Sequence, residues 1–324
     1  MTAIMSPFDV DARTAAFSAH VRAGGTVEPG DWMPEAYRAG ARKFIEMHAN
    51  SEIMGALPER EWISRAPTLR TKLSLAAKVQ DEVGHGHLLY RLAEELGKPR
   101  AAMVSDLLAG RSKFHNVFHY PTRTWGDVAV IGWLVDGAAL VTQRALLASS
   151  YAPYVRVLRR ICAEESLHQR HGEHLVLELC GGTPAQRELF TEAVARWWQP
   201  ILQFFGPPSP EDADPGDEAA ATARQEARDP LLWWRFKTRT NESLRQEFLS
   251  LYVPKLWDLG VEPPDPDLRW DAETGRWVTG PVDWSELERI GRNEGPMSQT
   301  RLAWRNWMHD EHRWVRELLR EVAA

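Results

Sequence analysis

With 324 residues, 44% apolar and 26% charged, the chain has the composition of a soluble globular protein, long enough for one large domain or a domain with an appendage. Thirty-nine Lys and Arg against forty-five Asp and Glu leave a net charge of −6, which argues against a general binder of nucleic acid or anionic membranes. Two cysteines, Cys162 and Cys180, exclude a disulfide framework and any zinc or iron–sulfur site needing four thiolates from this chain, and they suit a reducing compartment. The first twenty residues lack a basic region followed by an apolar core, and the run Val128–Val135 is far shorter than the roughly 20 residues that span a bilayer. The expectation is a cytoplasmic protein with no membrane contact.

Residues 1–30 show no sustained period and read as a loosely held N-terminal arm. Asp31-Trp-Met-Pro34 looks like a helix start, with Asp31 placed to cap and Pro34 tolerated in the first turn. Helical segments then follow at 34–56, ending before Leu57-Pro58; at 68–96, between Pro67 and Gly97-Lys-Pro99; at 124–150; at 154–180; and at 184–204. Long helices joined by proline and glycine breaks predict an all-α four-helix bundle over 31–205. Residues 206–229 begin GPPSPEDADPGDE and predict an acidic, proline-rich linker. Eleven of the fifteen tryptophans lie after residue 196, so 230–324 reads as a smaller Trp-rich extension. It is expected to hold a hairpin within 264–284 around a Thr-Gly turn, then helices at 284–292 and 298–322. Its tryptophans suit an internal core or a partner interface about equally.

Of eleven histidines only two have a Glu three residues earlier: Glu82-Val-Gly-His85 and Glu165-Ser-Leu-His168. The composition predicts about one such match by chance, so the surroundings must decide. On a helix, positions i and i+3 share a face, and one face can offer an oxygen and a nitrogen to the same metal ion. Both motifs lie on apolar faces: Leu75, Val79, Gly86 and Leu89 in line with Glu82, and Leu158, Ile161, Cys162, Gly172 and Val176 in line with Glu165. A carboxylate turned into a core costs several kcal/mol unless paired, protonated or metal-bound. The preceding helices each supply another such acid, Glu52 in line with Ile45, His48 and Gly55, and Asp136 inside an apolar run. Glu52 to Glu82 spans 30 residues and Asp136 to Glu165 spans 29, an internal two-fold arrangement of one acid helix and one Glu-x-x-His helix.

Glu52, Glu82, Asp136 and Glu165 with His85 and His168 form the ligand set of a di-iron or di-manganese carboxylate site, the four acids also being the expected catalytic groups. Buried ion pairs are the alternative, weakened because Lys78 is the one close basic residue. Asp81 and Glu164, each before a ligand glutamate, suit either a hydrogen bond to a ligand histidine or a solvated face. His87, His171 and His174 lack matching partners. A Glu59–Lys78 contact reads by default as an ordinary surface ion pair. A dry apolar shell of Leu89, Trp133, Leu134 and Ile161 is expected around the site. No glycine-rich phosphate loop is present, so a dinucleotide is not expected to bind through one.

The runs DWMPEAYR, HANSEIMGALPE, WISRAPTLRTK, AKVQDEVGHG, FHYPTRTWGDVAVIGWLVDGAA, SSYAPYVR, ICAEESLHQRHGE and VEPPDPDLRWDAETG, across roughly 30–290, closely resemble the catalytic A subunits of bacterial ring-1,2-phenylacetyl-CoA epoxidases. The resemblance implies a ferritin-like fold with two iron ions held by Glu52, Glu82, His85, Asp136, Glu165 and His168. It implies monooxygenase chemistry: O2 and two electrons epoxidise C1–C2 of the phenylacetyl-CoA ring during aerobic phenylacetate degradation. The electrons would come from NADPH through a separate FAD and iron–sulfur reductase subunit. The implied partners are a small bridging B subunit together with a homologous, non-catalytic C subunit. The alternatives are an oxygenase for another aryl-CoA such as benzoyl-CoA, a ferritin-like iron-binding protein, and a non-catalytic assembly subunit.

Overall fold

Threonine capping boxes open three of the helices. Thr68 and Thr71 exchange side-chain and backbone hydrogen bonds, both 3.2 Å, as do Thr124 with Asp127 and Thr183 with Gln186, so orphan N–H groups of the first turns are satisfied. These caps start α3 (Leu69–Glu95), α5 (Trp125–Val130) and α8 (Pro184–Phe204). The computed structural model describes residues 8–209 and 223–323. Residues 1–7 of the expected arm and 210–222 of the expected linker lie outside the described residues.

Among the described residues the chain is mostly helical, as the sequence predicts. The bundle comprises α2 (Glu35–Arg60), α3, the α5–α6 rod and α7 (Ala152–Cys180). In that rod a single π turn, Ile131–Val135, joins α5 to α6 (Asp136–Leu146). Three local expectations are corrected. Helix α2 runs through Pro58 to Arg60, because Leu57 and Glu59 on either side are buried and one lost hydrogen bond near a helix end is tolerable. Asp31 caps no helix; it accepts the Glu28 N–H at 2.8 Å, and Pro34 itself occupies the N-cap. The segment read as loose contains α1 (Ala12–Arg22), started by Asp11 accepting the Thr14 N–H and held by buried Phe17 and Val21. Its apolar residues are too few to show a period. A short α4 (Arg100–Leu108) and a 3-10 turn, Asn116–His119, follow α3.

Two cores flank the bundle axis. One joins α1, α2, α3 and α7 to Trp233, Trp234 and Phe236, which follow the short α9 (Pro230–Trp233) or end it. The other joins α5, α6 and α8 to α10 (Asn241–Asp258), which brings Tyr252 edge-on to Trp133 with Phe248 stacked on Tyr252. The hairpin is small: β1 (Arg269–Asp271) pairs antiparallel with β2 (Arg276–Val278), with Trp270 opposite Trp277 and Gly275 at positive φ in the turn. The Gln246 side chain brackets Trp277, donating to its carbonyl at 2.9 Å and accepting its N–H at 2.7 Å. Helices α11 (Trp284–Ile290), α12 (Ser298–Glu311) and α13 (Arg313–Ala323) complete the described chain. Of the tryptophans, Trp233, Trp234 and Trp277 are buried in the internal core, whereas Trp270, Trp307 and Trp314 are at least half exposed. The rod Trp125–Leu146 is long and apolar enough to cross a membrane, but 83% of its apolar window is buried in protein.

Candidate metal centre

Glycines bring the four helices close enough for their acids to meet. A Cβ on Gly86 would fall 2.7 Å from Ile53 and 3.2 Å from the Ala49 carbonyl, so α2 and α3 touch beside Glu52 and His85. A Cβ on Gly172 would fall 2.0 Å from the Gly132 carbonyl, one turn beyond His168 and one turn before Asp136. That crossing lies against the π turn, a distortion that often accompanies functional sites.

Glu52, Glu82, His85 and Glu165 each present a ligand atom within 4.8 Å of the others, all four buried. His85 Nδ1 stands 3.4 Å from both Glu52 and Glu165. His168 Nδ1 stands 3.4 Å from Glu165 and 3.7 Å from Glu82. Both Nδ1 atoms are buried without a hydrogen-bond partner, whereas both Nε2 atoms are held from behind. Glu164 accepts from His85 at 2.7 Å, and Asp81 from His168 at 3.0 Å. Each imidazole is thus fixed with its Nδ1 aimed inward, the arrangement that suits a metal-binding histidine.

Asp136 stands apart from that foursome. Its Oδ2 lies 2.6 Å from Lys78 Nζ, which also donates to Glu59 at 2.9 Å. The Glu59–Lys78 contact is therefore no surface pair, since both residues are about 97–98% buried. Glu59 and Lys78 line one cavity of about 380 Å³ together with Glu52, Glu82, Asp136 and Glu165. Leu89, Trp133, Leu134 and Ile161 are buried as expected but line none of it. The apolar wall from this rod is Ile131, Val135, Ala139 and Leu146, because the π turn and the helix after it carry that face to the acids. His87 and His174 are exposed, and His171 is half-buried with its Nε2 unpartnered.

Residues 5–314 match the family described as phenylacetic acid catabolic protein. A relative from Escherichia coli (strain K12), named as the A subunit of 1,2-phenylacetyl-CoA epoxidase, is 45% identical over 291 residues, 90% of each chain. The chain belongs to the phenylacetic acid catabolic protein family.

In this family member the charges around the cavity test whether a metal fits. Five buried carboxylates, Glu52, Glu59, Glu82, Asp136 and Glu165, face one buried ammonium, Lys78. Burial and the neighbouring charges of Glu165 and Glu52 push Glu82 well above the usual carboxylate range. Burial likewise pushes Asp136 to about 7, with Lys78 opposing and Glu59 reinforcing. For Glu52, burial is outweighed by the hydrogen bond from His48 and the close approach of the His85 ring, which hold it well below that range. For His85, burial is outweighed by Glu165 and Glu52, and the ring is pushed up to about 10. The cluster therefore demands positive charge. Two divalent cations with Lys78 would balance five carboxylates, and the two inward Nδ1 atoms with hard oxygens suit iron or manganese. The donor set fits such a pair.

Sequence reasoning passed over two residues. His48 Nε2 lies 2.7 Å from Glu52 Oε1, and His48 Nδ1 lies 2.7 Å from the Tyr154 hydroxyl. The i, i+4 spacing of His48 and Glu52 was a usable signal; the Tyr154 contact, 106 residues distant, carried none.

Proposed function

We propose that the chain is the catalytic subunit of an oxygen-dependent epoxidase acting on the aromatic ring of phenylacetyl-CoA, with two iron ions held by Glu52, Glu82, His85, Asp136, Glu165 and His168. The observation that carries this reading is the pair of unpartnered, inward-facing His Nδ1 atoms behind buried carboxylates that themselves line a substrate-sized cavity. The family and the name of the E. coli relative support the substrate and the place in phenylacetate catabolism.

When bound, the iron pair would supply the two-electron reduction and cleavage of O2 that ring epoxidation needs. The balance is one O2, one NADPH and one proton consumed, with one oxygen atom added across C1–C2 and the other leaving as water. The residues of this chain supply the rest. Phe44, Met47, Phe118, Ile131 and Val135 form an apolar wall that would orient the ring and keep water from the acids. The exposed Lys113, with Lys237 and Arg239, lines the same cavity and would face the phosphates of the CoA portion. Glu164 and Asp81 keep both histidines in the tautomer that leaves Nδ1 free. Lys78 steadies Asp136 beside the reacting space. Electrons would enter from a reductase subunit carrying FAD and an iron–sulfur centre, with the C and B subunits completing the complex.

The test is NADPH-dependent oxygen uptake by the reconstituted complex with phenylacetyl-CoA and benzoyl-CoA in parallel, with iron analysis of the purified chain. Uptake and ring epoxide from phenylacetyl-CoA, with two irons per chain, are expected. Uptake with benzoyl-CoA alone would reassign the substrate, and many irons per chain without uptake would mark an iron-binding protein.

A further inference from the structure

The two acids outside the Glu-x-x-His motifs are held in different ways. Asp136 is gripped by a cation, the Lys78 ammonium at 2.6 Å. Glu52 is gripped by a hydrogen-bonded chain instead: Glu52 Oε1 to His48 Nε2 at 2.7 Å, then His48 Nδ1 to the Tyr154 hydroxyl at 2.7 Å. Tyr154 is fully buried, stacked on Phe236 with ring centroids 5.6 Å apart and planes 9° apart, and edge-on to Phe44. Its hydroxyl has little freedom. The His48 ring is held between Tyr154 and Glu52, with Nε2 directed at Glu52 Oε1 and Nδ1 at the tyrosine hydroxyl. Glu52 Oε1 is thereby occupied, and Oε2 is the oxygen turned toward His85 Nδ1, at 3.4 Å.

We infer that His48 and Tyr154 are positioning residues that pin Glu52 by one oxygen, so that it meets a metal through Oε2 alone, and that the two metal positions are consequently unequal. The inference rests on the two-metal reading proposed above. The position beside Glu52 receives an oxygen, Oε2, that the His48 contact to Oε1 leaves uncommitted and already turned toward His85. The position beside Asp136 shares its carboxylate with an ammonium, and binds more weakly. The chain Tyr154–His48–Glu52 joins α7 to α2, so the same contacts fix the distance between an acid helix of the first repeat and the Glu-x-x-His helix of the second.

The test is titration of the metal-free full-length chain with Co(II), reading heat and the visible ligand-field absorption. The wild type is expected to take up two ions in two resolved steps. His48→Ala should weaken the tighter step about 10–100-fold, the range seen when a group behind a metal ligand is lost, and should change its spectrum while sparing the weaker step. His48→Gln, whose amide can still donate to Glu52, should restore most of the affinity, and Tyr154→Phe should fall between the two. Circular dichroism and the melting temperature confirm that each variant is folded. Two equal steps in the wild type, or both steps and spectra unchanged in His48→Ala, overturns the inference while leaving the metal centre intact. Equal behaviour of His48→Gln and His48→Ala overturns it too, by making the effect one of packing. A wild-type chain that binds no pair of ions overturns the metal reading itself.

Discussion

Glu164 and His85 sit 79 residues apart on opposite halves of the internal repeat, yet Glu164 Oε2 meets His85 Nε2 at 2.7 Å. The reciprocal contact is Asp81 to His168 at 3.0 Å. Each acid precedes the Glu of one motif and holds the histidine of the other, so the two motif helices brace one another. Among the described residues, the His85 side is backed further, by Arg160 donating to Glu164 at 3.1 Å.

Glu164→Gln and Asp81→Asn should therefore each free one imidazole to rotate or change tautomer. Metal affinity is expected to fall about 10–100-fold in either variant, with the melting temperature of the metal-free chain little changed because both acids are partly exposed. Metal-binding titration beside thermal unfolding checks this; an unaltered affinity would show that the cross-brace is incidental.

Gly172→Ala addresses the helix crossing. The new methyl would sit 2.0 Å from the Gly132 carbonyl, in a place where only backbone can yield. The helices must part by more than an ångström, at a cost of about 1–3 kcal/mol or more. A melting temperature several degrees lower is expected, along with loss of metal, since the crossing sets the separation of His168 and Asp136. Gly84→Ala on the outer face of α3, where nothing lies within 4 Å, is the control and should be neutral or slightly stabilising.

The six candidate ligands were legible because a helical face is a short-range property: an acid among Leu, Val, Ile and Gly at steps of three and four declares that it points inward. The 29- and 30-residue intervals pointed to a grouping, of which the structure brings Glu52, Glu82, His85 and Glu165 within 4.8 Å of one another. Partnerships made across the bundle were not legible. Lys78 stands one turn before Glu82, so its sharing of that face was visible, but its grip on Asp136 spans 58 residues. The π turn left no mark on composition, and it is what replaces Trp133 and Leu134 by Ile131 and Val135 along the cavity. Helix α1 escaped notice because two buried side chains, Phe17 and Val21, carry most of its apolar packing.

Lys78→Met removes the ammonium shared by Glu59 and Asp136 and leaves two buried carboxylates without it. Breaking a buried pair from one side costs about 3–5 kcal/mol. Because Asp136 is already pushed to about 7 by burial, the variant should take up a proton there more readily than the wild type. Its deficit in unfolding free energy should therefore shrink as pH is lowered from 8 toward 6. Denaturant unfolding at several pH values measures this, and a deficit independent of pH would mean that packing, not charge, dominates.

Acid sensitivity should come in part from His119. The ring is 99% buried, stacked on Phe114 with centroids 3.8 Å apart, and bonded through Nδ1 to Ser298 Oγ at 2.7 Å. Burial holds its pKa down at about 4, the Phe114 backbone opposing and the Arg301 charge assisting. The folded value lies below the ordinary value of 6.5, so folding favours the neutral ring. Its contribution is fully present above pH 6.5 and is lost as pH falls from 6.5 toward 4, where the unfolded chain binds a proton that the native ring refuses. At about 1.4 kcal/mol per unit, the loss by pH 4 approaches 3 kcal/mol. His119→Gln, which can still reach Ser298, should start less stable at pH 7.5 but lose less between pH 6.5 and 4. The slope of unfolding free energy against pH should be shallower by about one proton over that interval. Parallel slopes for wild type and variant would show that His119 is already protonated in the native protein.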